Sequence, residues 1–140
     1  MKILTYIPEH TDAGERFQKA LEAMPPKAEL IIVHTLKILE KQLCIPQISK
    51  PAIIILLAEN TMMLRSLFDM KSLFQDIDII LILPDEAEET LCLGHQLYPR
   101  YISFKNSDFS DVLMVMKKMV QTKAINHGKV KLPLGQGPAA

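Results

Sequence analysis

Five short apolar runs, at residues 2–7, 29–35, 52–58, 78–83 and 100–104, alternate with segments in which apolar residues recur every three or four positions. That alternation is the signature of βαβ units on a parallel sheet. The third and fourth runs are apolar throughout, as expected of central strands covered by helices on both faces. A chain of 140 residues is enough for one such domain, which buries roughly two-thirds of the surface its unfolded chain exposes.

Between the runs, 14–24 places Phe17, Ala20, Leu21 and Met24 on one face and stops at Pro25 and Pro26. A short helix is expected over 36–43, followed by a loop over 45–51. Residues 61–75 offer Leu64, Leu67, Phe68 and Phe74, with Asn60 or Thr61 as N-cap. A helix over 85–97 opens on Asp85, Glu86, Glu88 and Glu89, which suits the positive end of the helix dipole. The last helix, 108–123, repeats Phe109, Val112, Leu113, Met116, Met119 and Val120 on one stripe. The expected architecture is a flavodoxin-like three-layer α/β sandwich: a five-stranded parallel sheet of order 2-1-3-4-5, about five helices, and a cleft at the carboxyl ends of strands 1 and 3. The domain is expected over 1–124. Beyond it, Gly128, Pro133, Gly135, Gly137 and Pro138 break any period, so 125–140 reads as a tail or linker to another domain.

Sixteen basic and sixteen acidic residues cancel, which removes the electrostatic term behind most nucleic-acid binding. The longest apolar run, 52–58, is far short of the roughly 20 residues that span a bilayer, and Pro8 to Glu15 interrupts anything like a signal peptide. The expectation is a cytoplasmic protein that binds neither nucleic acid nor membrane. Cys44 and Cys92 have no CxxC partner or neighbouring histidine at ligand spacing, so both are expected to be reduced core residues.

The opening Met1-Lys2-Ile3-Leu4, the strand from Pro51 to Leu57 in the place of a PDLVLLD run, and YISFKNSDFSDVL from Tyr101 to Leu113 resemble a response-regulator receiver domain over about residues 1–123. Lys105 falls where receivers carry a lysine at the end of strand 5. The resemblance implies phosphoryl transfer to an aspartate, which needs a carboxylate nucleophile, a carboxylate-held divalent metal and a cation for the developing charge. Ile7 and Pro8 stand where receivers have the metal-binding acidic pair. Leu57, or Ala58 with a slip of one, stands at the phosphoacceptor position. Leu83, or Pro84, stands at the hydroxyl-bearing position. Tyr101 comes one residue before the place of the receiver's strand-5 aromatic, which Ile102 occupies, and a shift of one turns a strand side chain to the other face. What the resemblance implies is therefore a degenerate pseudo-receiver that keeps Lys105 and loses phosphotransfer: no enzyme, no metal, no cofactor.

Several residues remain to be weighed against plain structural roles. The Lys105 stem can lie along the sheet with its ammonium in water, and Glu59, just past strand 3, is the nearest acid able to hold it in a permanent ion pair. Glu9, His10 and Asp12 in the loop after strand 1 have the chemistry of a small metal or acid/base cluster, although such loops are polar anyway. The histidines show no triad order. The loop 8–14 is neither GxGxxG nor GxxxxGK[ST], so no nucleotide or flavin is indicated.

The leading expectation is a signalling module that binds a protein partner or adjacent domain. A homodimer is expected through helix 4, strand 5 and helix 5, because Met114 falls off the apolar stripe of the last helix. The alternative is a small-ligand-binding or enzymatic flavodoxin-like domain. The two differ in the cleft: the first expects Ile7, Leu57 and Leu83 packed together, the second a cavity lined by Glu9, His10, Glu59 and Lys105.

Overall fold

In the computed structural model, which describes residues 1–44 and 50–127, the strands β1 (Lys2–Tyr6), β2 (Glu29–Val33), β3 (Ile53–Leu57), β4 (Asp78–Leu83) and β5 (Tyr101–Phe104) form one parallel sheet. Its order is β2-β1-β3-β4-β5. Helices α1 (Asp12–Ala23), α2 (Leu36–Leu43), α3 (Thr61–Asp69), α4 (Glu88–His95) and α5 (Ser110–His127) connect and follow the strands. This is the flavodoxin-like arrangement that the alternation implies.

Strand periodicity divides the core into two layers. Ile3, Ile7, Ile53, Ile55, Leu57, Ile80 and Ile82 pack with Phe17, Leu21, Phe109, Val112 and Met116 of the α1 and α5 side. Leu4, Tyr6, Ile54, Leu56, Ala58, Ile79, Leu81 and Leu83 pack with Leu39, Leu64, Leu67 and Leu97 of the α2, α3 and α4 side. All five residues of β3 are buried, as its unbroken apolar run requires.

The elements differ from expectation where a side chain captures a backbone group. Thr35, expected at the end of strand 2, instead caps α2 by accepting from the Ile38 amide. Thr11 caps α1 by accepting from Gly14, so that helix starts at Asp12. The 61–75 segment breaks at Met70 into α3 and a 3-10 turn, Lys71–Phe74. Asp85 Oδ1 accepts from the Ala87 amide, which delays α4 to Glu88. Residues 125–127 continue α5, because no glycine or proline interrupts it before Gly128. The rest of the expected tail, 128–140, and positions 45–49 of the expected loop lie outside the described residues. Both cysteines are exposed, contrary to expectation: Cys44 at the end of α2 and Cys92 on the outer face of α4.

Candidate functional site

The carboxyl ends of β1, β3 and β5 meet α1 at the cleft. Ile7 and Leu57 are fully buried on the α1 and α5 side, while Ala58 and Leu83 are fully buried on the opposite side of the sheet. The expected cluster of Ile7, Leu57 and Leu83 is thus split between the two layers, since alternation along β4 sends Leu83 to the α4 side. There its two methyl groups lie 3.0 and 3.2 Å from where a Cβ on Gly94 would sit. Pro8 is buried as well.

The loop after β1 closes tightly on α1. A Cβ on Gly14 would meet Thr11 Oγ1 at 2.5 Å and the Pro8 carbonyl oxygen at 2.8 Å, so only glycine fits. Thr11 also donates to the Pro8 carbonyl, and His34 Nδ1 donates to the Ile7 carbonyl at 2.8 Å. Glu9 and His10 project into solvent from this loop and form no cluster with Glu59 and Lys105, and His10 takes a left-handed φ of 57°.

Lys105 and Glu59 do come together. The ammonium donates to the Glu59 backbone carbonyl and to its carboxylate Oε2, both at 3.0 Å. The pair is partly shielded, with side chains 33% and 25% exposed. Glu59 Oε1 is buried and accepts no hydrogen bond among the described residues. Glu59 is positioned from behind by Met63, whose sulfur accepts from the Glu59 amide and from the Tyr6 hydroxyl. Burial raises the Tyr6 pKa above its usual value.

Arg16 completes the site, and sequence reasoning did not find it. Its guanidinium donates to the carbonyls of Lys105 and Ser107 at 2.8 and 2.9 Å and to Asp12 at 3.0 Å. It also lies over the Phe109 ring, 5.2 Å from the centroid. The only sequence signal was the spacing of Asp12 and Arg16 by four residues on one helix face. Phe109 has a left-handed φ of 65°, costly for a bulky residue. Arg16 and the Phe17 ring, 5.0 Å from that of Phe109, hold it there.

Behind the clamp, Asp111 Oδ2 accepts from the hydroxyls of Tyr101 and Ser103, both at 2.8 Å. The bond to Asp111 raises the Tyr101 pKa above its usual value, with burial adding to it. Tyr101 therefore faces α5, while Ile102 and Phe104 face the α4 side.

No family model, curated protein or solved structure matches this chain. The geometry alone must carry the functional reading. Asp12, Arg16, Glu59, Lys105 and Asn106 border a pocket of only about 170 Å³, below the roughly 300 Å³ at which small-molecule sites begin. Among the described residues no group of three or more His, Cys, Asp or Glu side chains is placed to share a metal ion. No helix among them is long and apolar enough to cross a membrane.

Proposed function

We propose that this chain is a non-catalytic, receiver-like signalling module of the cytoplasm that works by binding a protein partner or an adjacent domain. The observation that carries the reading is the filling of the cleft. Ile7, Pro8, Leu57 and Ala58 are buried apolar groups, and the one retained charge, Lys105, is already neutralised by Glu59. A phosphoryl group would find no nucleophilic carboxylate at Leu57 and no pair of acids at Ile7 and Pro8 to hold a divalent metal. The ammonium of Lys105 gives the site its cation as a permanent part of the chain.

Binding is assigned to the face built from α4, β5 and α5. Met114 on α5 stands 72% exposed there, and its thioether side chain is of the adaptable kind that partner-binding surfaces use. A second copy of the chain is one such partner. Exposed Glu86 and Glu88 mark one end of this face and Arg100 and Lys118 the other, so two copies related by a two-fold axis would bring acids onto cations.

Incubation with acetyl phosphate and magnesium, read by intact mass spectrometry, tests the loss of phosphotransfer. No stable adduct is expected. A phosphorylated aspartate, glutamate or histidine would overturn the reading.

A further inference from the structure

β5 is an edge strand with an unusually well-prepared open side. It pairs with β4 alone, and among the described residues nothing pairs with its outer edge. The Lys105 amide donates to the Leu83 carbonyl, in the register that sets Ile80 opposite Tyr101, so alternation along the strand turns the amides of Ile102 and Phe104 away from β4 and out of the sheet. Apolar groups on both faces of this edge are only partly buried: Ile102 and Phe104 on the α4 side, Val115 and Met119 on the α5 side. A sixth strand laid here would cover both pairs.

Beside the amino end of β5 lies a pocket of about 330 Å³ lined by Asp78, Arg100, Val115, Lys118, Met119 and Lys123, among others. Its one carboxylate is shared: Asp78 Oδ2 meets Lys123 Nζ at 2.7 Å and Oδ1 meets Arg100 Nη1 at 3.6 Å. Among its described lining residues three cations surround one acid, on a chain whose net charge is zero. The opposite edge strand, β2, begins with an exposed glutamate, Glu29.

We infer that the outer edge of β5 accepts an extended segment of a partner protein as a sixth strand, with acidic side chains on its α5-facing side and apolar side chains on its α4-facing side. This rests on the assignment of α4, β5 and α5 as the interaction face and names the kind of partner that face takes. Main-chain hydrogen bonds to Ile102 and Phe104 supply affinity, and the acids set between Arg100 and Lys118 supply choice of partner. A second copy of β5 is a poor occupant of this edge, because antiparallel pairing would set Arg100 of one copy near Lys105 of the other, a like-charge contact.

The probe is a fluorescein-labelled peptide of alternating valine and glutamate, measured by anisotropy against the whole chain, with valine–lysine and alternately N-methylated valine–glutamate peptides as controls. Saturable binding by the first peptide alone is expected, with slowed hydrogen exchange at the Ile102 and Phe104 amides. The variant carrying Arg100→Glu and Lys118→Glu, both exposed positions, is expected to bind about tenfold more weakly, as two lost ion pairs of the partly exposed kind imply. Equal binding by the N-methylated or lysine peptide, or no loss in the double variant, overturns the proposal. A failure to bind by a chain that remains folded and unphosphorylated overturns the strand proposal alone and leaves the non-catalytic reading intact.

Discussion

Leu57 has no exposed surface and lies on the α1 and α5 side of β3, where its neighbours cannot follow a shortened side chain. Leu57→Ala is expected to cost about 2–5 kcal/mol of unfolding free energy. Lys105→Met, by contrast, removes a partly exposed ion pair and is expected to cost no more than about 1 kcal/mol. Urea denaturation of the two variants measures the difference; equal losses would mean that the pair, rather than the packed cleft, secures this end of the sheet. The buried status of Ile7, Leu57, Ala58 and Leu83 was legible because each lies at or next to the end of an apolar run, and the Lys105 pairing because Glu59 is the first acid past β3. Arg16 was not legible: its partners are backbone carbonyls 89 and 91 residues away, which no side-chain pattern encodes.

Within β5 and α5, Asp111 ties strand to helix through the Tyr101 and Ser103 hydroxyls. A tyrosine whose folded pKa is raised binds its proton more tightly in the native state. Its contribution is therefore full below the usual value of 10.0 and is lost as pH rises through the folded value. Stability is expected to fall above about pH 10, and Tyr101→Phe to remove part of that fall; Tyr6, raised by burial, acts in the same direction. Chemical denaturation at pH values either side of 10 reads this, and an unchanged alkaline slope in Tyr101→Phe would refute it. The strands were legible from apolar runs alone, since central strands hide both faces. Helix ends were less so: Thr11, Thr35 and Asp85 each bind a nearby amide and reset the boundary. The exposed cysteines were misjudged because composition favours burial of cysteine, whereas Cys92 sits opposite the inward-facing Gly94 and Leu97 of its segment.

For the whole molecule, a net charge of zero conceals a division along one face, acids at the start of α4 and cations around Arg100 and Lys118. Self-association through that face is expected to raise the sedimentation mass with protein concentration and to recede toward about 1 M salt, where screening reaches about 3 Å. A mass that stays monomeric at every concentration would rule it out. The order of the sheet followed from the βα alternation, because right-handed crossovers leave few ways to wind five parallel strands. The division of charge did not, since it depends on which residues share a surface once the chain is folded. The pairing of Lys105 with Glu59 has one more consequence at this scale. An ion borrowed from solution comes and goes with its abundance, but an ammonium carried on the chain has no vacancy to report. On the reading proposed, the output of such a module is set by how many copies the cell holds and how long they last, not by the chemical state of any one of them.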